Sequence, residues 1–237
     1  MSKKVIIEPS ILSFDFGCLA DEAKKIELAG ADAIHIDVMD GLFVKNITLG
    51  PKAVAAINKA TDLFLDVHLM IYNPFDYIEA FIAAGADRIT FHFEATEDVE
   101  ETLAYIRKCG KQAGLAFSPG TSQELMVKYL DRCDLILIMT VEPGFGGQAF
   151  QESMLEKIQF LSLACKARKI GSGGRVNPET YLTDPFLIQV DGGINDETGK
   201  LCAEAGANVF VSGQHLYQQK NLASSIAHLR QACGGDL

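Results

Sequence analysis

The chain has 237 residues, 48% of them hydrophobic and 22% charged, with a net charge of −10 and no basic run. That balance suits a globular protein with a large core and argues against a nucleic-acid partner, which would call for clustered lysine and arginine. No apolar stretch approaches the roughly 20 residues that span a bilayer, MSKKVIIEPS is too poor in apolar residues for a secretory signal, and the six scattered cysteines form no CxxC pair. We therefore expect a cytoplasmic protein with free thiols and no membrane partner.

Short aliphatic or β-branched runs alternate with segments of helical period along the whole chain. Residues 5–12 read as a strand, and residues 19–29 as a helix with Leu19, Ala23 and Ile26 on one stripe. A second strand over 33–39 leads to a helix over 51–60, where Pro51 suits the first turn. The third strand covers 63–70, and its helix opens near Pro74. Strands over 88–93 and 113–117 precede helices over 99–109 and 122–130. The sixth strand, 135–141, is an almost unbroken apolar run, as a strand buried on both faces requires. A helix over 152–167 follows. Strands over 186–190 and 209–211 then lead to helices over 196–205 and 222–233.

Eight β-then-α units force parallel pairing through right-handed crossovers. Eight units in this length predict an α/β fold, a single (β/α)8 barrel of the TIM type spanning residues 1–237. Gly30, Gly85 and Gly206 recur between a helix and the next strand as helix-stop signals. Residues 169–185, rich in Gly, Ser and Pro, read as a surface insertion on the face away from the strand C-termini, with no catalytic part.

Barrels of this type build their active sites at the strand C-termini. There the alternation places His35, Asp37 and Met39 on one face of the second strand, and Asp66, His68 and Met70 on one face of the third. Met139 ends the sixth strand, Asp191 the seventh, and Ser10 lies toward the end of the first. Two imidazoles and two or more carboxylates left unpaired in a dry interior would cost several kcal/mol. A divalent cation is the expected compensation, and nitrogen plus carboxylate donors suit zinc, iron, manganese or cobalt alike. Asp66, one pleat deeper, is expected to orient His68, and the three methionines to form an apolar lining. His92, beside Glu94 at i+2, reads as a rim residue or a core hydrogen-bonder, and His228 as a residue without a functional part.

A second constellation is rich in glycine. Gly144, Gly146 and Gly147 follow the sixth strand, Gly192 and Gly193 the seventh, and Gly213 the eighth. Glycines on neighbouring loops let backbone amides approach an anion, and nearby helix N-termini add partial positive charge. Together they predict a phosphate grip that needs no dedicated arginine.

With these residues in place, the chain resembles the ribulose-phosphate 3-epimerase family. PSIL at 9–12, HIDVMDGLFV at 35–44, NITLGP at 46–51, DVHLM at 66–70, VEPGFGGQ at 141–148 and VDGGI at 190–194 carry the resemblance nearly end to end. It implies interconversion of D-ribulose 5-phosphate and D-xylulose 5-phosphate through an enediolate, a step of the pentose phosphate pathway. His35, Asp37, His68 and Asp191 would bind one divalent metal per subunit, with zinc ahead of iron(II), manganese or cobalt. Asp37 and Asp191 would be the acid/base pair. Ser10 and His68 would contact substrate, while Gly144, Phe145, Gly146, Gly147, Gly192, Gly193, Gly213 and Gln214 would surround the phosphate. The partner is then a small sugar phosphate, and the assembly a homo-oligomer.

Three features depart from the family pattern. Lys45 stands where proline is usual, Gln214 replaces a serine and is followed by His215, and residues 169–185 lengthen a short connection. Competing readings are an epimerase of a six-carbon ketose phosphate of the allulose 6-phosphate type, a metal-dependent aldolase, and a non-catalytic phosphate-binding barrel. PGFGGQ and VDGGI favour the pentose substrate.

Overall fold

Parallel strands β1 (Ile6–Pro9), β2 (Ala33–Met39), β3 (Phe64–Met70), β4 (Arg88–His92), β5 (Gln112–Phe117), β6 (Leu135–Met139), β7 (Leu187–Asp191) and β8 (Val209–Ser212) form one sheet in a computed structural model that describes residues 4–236. Hydrogen bonding runs β1-β8-β7-β6-β5-β4-β3-β2, and one parallel bridge between Ser10 and His35 brings β1 to β2. The sheet is thereby curled into a nearly closed barrel. Around it lie α1 (Leu19–Leu28), α2 (Pro51–Asn58), α3 (Ile78–Ala84), α4 (Val99–Lys108), α5 (Met154–Arg168), α6 (Asp196–Ala205), the short α7 (Gln214–Tyr217) and α8 (Leu222–Ala232). No helix among the described residues is long and apolar enough to cross a membrane.

Strand alternation divides the interior in two. Ile34, Ile36, Val38, Leu65, Val67, Leu69, Ile136 and Ile138 face the helices and belong to the main core. Inside the barrel, Ala116, Leu135, Leu137, Met139, Leu187 and Val209 form a separate apolar cluster on the β5–β8 side. Glu8, His35, Asp37, Asp66, His68, Arg88, Thr90, His92 and Gln189 are all buried. They occupy the alternate, inward positions of β1–β4 and β7. Half of the barrel interior is therefore polar.

Two elements differ from the periodicity. The first strand stops at Pro9 rather than running to residue 12, because the chain turns into a 3-10 helix at Ile11–Ser13. Ser10 instead caps a 3-10 turn at Ile11–Ser13, its Oγ accepting from the Leu12 amide at 3.3 Å. Between β5 and β6 the expected α-helix is a 3-10 helix, Gln123–Tyr129, whose buried Met126 and Tyr129 are three residues apart. That spacing matches a three-residue turn. Residues 169–185 leave α5 and fold back through bridges Ile170–Val176 and Gly171–Pro185. The Arg107 guanidinium donates to the Gly173 carbonyl at 3.0 Å and pairs with Asp134 at the start of β6. This segment therefore lies at the N-terminal end of the barrel.

Candidate active site

Strand register assembles the site. In the β2–β3 ladder His35 is opposite Asp66, and Asp37 is opposite His68. His68 Nδ1 consequently lies 3.1 Å from Asp37 Oδ1, and His35 Nε2 lies 3.3 Å from the same oxygen. Asp191, at the end of β7, brings Oδ2 to 3.9 Å from His35 Nε2. Ser10 Oγ donates to Asp37 Oδ2 at 2.7 Å. His35, Asp37, His68 and Asp191 each offer one ligand atom, all within 4.8 Å of one another. Asp66 turns out to orient His35 rather than His68: its Oδ2 is 2.9 Å from His35 Nδ1, because register, not sequence proximity, decides which ring it meets.

That bond places the His35 proton on Nδ1 and leaves Nε2 bare when the ring is neutral. Nε2 is buried and makes no hydrogen bond. A lone pair aimed at two carboxylates is an unfavourable arrangement that a cation would relieve. Two imidazole nitrogens and two carboxylate oxygens fit a divalent transition metal. Burial opposes a charged His35, but Asp37 and Asp66 overrule it and hold the ring well above the ordinary imidazole range. Proton and cation thus compete for one position.

Beneath the ligands lies a polar layer that the motifs did not reveal. Arg88 donates to Asp66 Oδ1 through Nε at 2.8 Å and to Glu8 Oε1 through Nη2 at 2.6 Å. Gln189 Nε2 donates to Glu8 Oε2 at 2.6 Å and to Asp66 Oδ2 at 2.7 Å. Glu8, His35 and Asp66 also sit close enough to hold an ion, but the Arg88 guanidinium already supplies the charge there. Burial, opposed by Arg88, pushes Glu8 up to about 8. Asp66 stays well below its usual range because Arg88 and His35 outweigh its desolvation. The available signal was alternation: Glu8 is two residues before Ser10, and Gln189 two before Asp191.

The two candidate acid/base carboxylates are driven apart. Burial alone would raise Asp37, yet the adjoining His35 and His68 rings hold it far below the carboxylate range. Asp191 is pushed up to about 7 by burial and by the charge of Asp37.

Above the ligands opens a cavity of about 350 Å³ lined by Ser10, Asp37, Met39, Met70, Met139, Gly144, Phe145, Gly146, Gly147, Asp191, Gly192, Gly193, Gly213 and Gln214. Met39 and Met70 pack with Val44 on one side, and Met139 joins the β5–β8 cluster on the other. His35 and His68 lie under the floor, fully buried, and do not line the cavity wall. The Thr140 hydroxyl shares its one proton between the carbonyls of Gly192 at 2.6 Å and Asp191 at 2.9 Å, fixing the strand-seven turn. Gly192 has φ +120°, and a Cβ there would fall 2.4 Å from Val141 Cγ2, so glycine is required. Asn46 Nδ2 donates to the Gly144 carbonyl at 2.8 Å, tying the loop after β2 to the glycine loop after β6. The Gln214 amide lies against Gly147, where a Cβ would come within 2.7 Å of its Nε2. Lys45 is exposed and outside the lining, and His228 is exposed on α8. Asn195 and Thr198, which cap α6 reciprocally, also reach the cavity.

Comparison with known proteins places this geometry in context. The chain is 51% identical over 221 residues to ribulose-phosphate 3-epimerase of Chlamydia pneumoniae, covering 93% of this chain and 91% of that protein. It is 46% identical over 224 residues to the Bacillus subtilis (strain 168) protein of the same name, covering 94% and 97%. Among solved structures, 3-hexulose-6-phosphate synthase superposes with TM-score 0.67 at 16% identity, covering 96% of this chain and 99% of that one. The 3-keto-L-gulonate-6-phosphate decarboxylase from Vibrio cholerae gives 0.67 at 15%, covering 98% of each. At such identities the likeness speaks for the barrel fold alone. The model of the ribulose-phosphate 3 epimerase family matches residues 6–217, which include every ligand, floor and cavity residue described above, and the chain belongs to that family.

Proposed function

We propose that this isomerase interconverts D-ribulose 5-phosphate and D-xylulose 5-phosphate, with Asp37 and Asp191 as the proton-transferring pair. One observation carries the assignment. Two carboxylates from separate strands, Asp37 on β2 and Asp191 at the end of β7, border one cavity. Carbon 3 of a 2-ketose phosphate is alpha to a carbonyl, so its proton can be removed if the developing oxyanion is stabilised. Epimerisation needs one base and one acid on opposite faces of the planar enediolate, in complementary protonation states. An ionised Asp37 removes the proton from one face, and a protonated Asp191 returns one to the other; the reverse reaction exchanges the roles.

His35, Asp37, His68 and Asp191 would hold one divalent cation, zinc by preference for its affinity for imidazole and carboxylate. Such a cation supplies Lewis-acid stabilisation of the oxyanion. Ser10, bonded to Asp37, keeps that carboxylate oriented at the floor. Met39, Met70 and Met139 exclude water from the reacting carbon. The loops bearing Gly144–Gly147, Gly192–Gly193 and Gly213–Gln214 face the phosphate with backbone amides. We further assign the chain to a single barrel domain with residues 169–185 outside the chemistry, supported by their place at the opposite end of the barrel.

The test is to incubate zinc-loaded protein with D-ribulose 5-phosphate in deuterated water. The expected result is xylulose 5-phosphate carrying deuterium at carbon 3. Neither epimer nor exchange would overturn the assignment, and shorter carbonyl products would indicate an aldolase.

A further inference from the structure

The reaction leaves His92 and Glu94 without a part, although they extend the site's hydrogen bonding. His92 Nε2 lies 3.0 Å from His68 Nε2, and the two fully buried rings are stacked at 5.0 Å with a 25° tilt. On its other side His92 Nδ1 lies 3.2 Å from Glu94 Oε2 and 3.4 Å from Ser118 Oγ. Glu94 Oε1 accepts from the Ser118 amide at 2.9 Å and from the Thr121 hydroxyl. Lys157 Nζ, from α5, donates to the carbonyls of Ser118, Pro119 and Thr121 at 3.3, 2.8 and 2.6 Å and pins the loop that presents those donors.

We propose that His92 is a positioning residue that carries the Glu94 carboxylate's preference to His68, fixing the His68 proton on Nε2 and leaving Nδ1 bare toward Asp37. The chemistry of the chain allows little else. A bond between two ring nitrogens holds a single proton, so one ring donates and the other accepts. An ionised carboxylate accepts only, and the bonds from His92 and Thr121 hold Glu94 at about 2 despite its burial. A neutral His92 facing it therefore carries its proton on Nδ1, and its Nε2 must accept from His68. With its Nε2 proton given to His92, the fully buried His68 turns Nδ1 to Asp37 Oδ1 at 3.1 Å. A neutral ring with its proton on Nε2 presents a lone pair at Nδ1.

The same result is reached on His35 by a shorter route, since Asp66 bonds its Nδ1 directly. Two imidazoles are thus backed by two carboxylates, one in contact and one relayed through a third ring, and both bare nitrogens converge on Asp37. Backing of this kind orients a ligand and raises its basicity. The inference rests on the cation reading of the four-residue cluster, and its test separates the two.

Zinc affinity is measured by competition with a chelator for the parent chain, His92→Phe, His92→Gln and Glu94→Gln, together with imidazole ¹⁵N shifts of the zinc-loaded parent. The expected result is that His92→Phe, which has no acceptor for the His68 proton, binds zinc about 10–100-fold more weakly. His92→Gln, whose Oε1 can accept, recovers part of that loss, Glu94→Gln is intermediate, and the parent's His68 carries its proton on Nε2. Unchanged affinity in both His92→Phe and Glu94→Gln, or a His68 proton on Nδ1 in the zinc form, would overturn the role of His92 while leaving the cation site standing. A parent chain that binds no zinc would overturn both. Should His92→Phe fail to fold, Glu94→Gln, at the partly exposed rim, still decides the matter.

Discussion

At the scale of single residues, environment gives chemically identical groups different work. Asp37, Asp66 and Asp191 are all inward-facing aspartates, yet their neighbours separate them into a strongly ionised carboxylate, one tied to Arg88 and His35, and one raised to about 7. We expect Asp37→Asn and Asp191→Asn each to lower turnover by at least about 10³-fold, in line with loss of an acid/base group, while a phosphate analogue binds within a few-fold of normal. Near-normal turnover in either variant would contradict the two-carboxylate scheme. Arg88 is the counter-charge of Asp66 and hydrogen-bonds Glu8 in a dry layer. Arg88→Met should therefore destabilise the fold by about 3–5 kcal/mol in denaturant titration, because it strands buried charge. Glu94 gives a pH signature. Its folded pKa lies below its usual 4.5, so its stabilisation is present above that value and is lost as pH falls toward 2. Glu94→Gln should flatten the acid limb of the stability profile over that window and leave the neutral region without its contribution.

At the scale of elements, strand identity was readable because period-two alternation is a local property. Seven of the strands and most helices follow it, whereas β1 ends early at Pro9 and the segment after β5 winds as a 3-10 helix. Both exceptions arise where a local feature, the Ser10 cap of a 3-10 turn or a three-residue burial spacing, outweighs the average pattern. Packing between strands was not readable in the same way. Gly114 in β5 is an example: a Cβ there would lie 2.2 Å from Thr90 Oγ1 on β4, and Thr90 in turn faces Asp66 at 3.3 Å. Gly114→Ala should destabilise the protein by about 1–3 kcal/mol through overpacking, measured by thermal unfolding. A neutral result would mean that Thr90 can turn away without disturbing the polar layer.

At the scale of the whole molecule, the proposed cation would act as a clamp. Its ligands come from β2, β3 and β7, and Ser10, bonded to Asp37, forms the parallel bridge that brings β1 to β2. A cation at about 1,000 times its dissociation constant adds about 4 kcal/mol to folding. In a protein of this size that corresponds to roughly 8–16 °C in Tm. Removing metal with a chelator should lower Tm by about that amount, and a shift under about 2 °C would count against a cation bridging the strands.

By itself the sequence determined the barrel, the end of it at which the candidate ligands and glycine-rich turns gather, and the side chains found there. Alternation, strand termini and glycine-rich turns are written in neighbouring residues. Only the tertiary structure decided who partners whom. Asp66 meets His35 rather than His68, Glu8 and Gln189 share Arg88's layer, and His92 stands between His68 and Glu94. Those pairings depend on register between strands and on the curl of the sheet, which bring together residues up to 181 positions apart, and no local pattern encodes a distance of that kind.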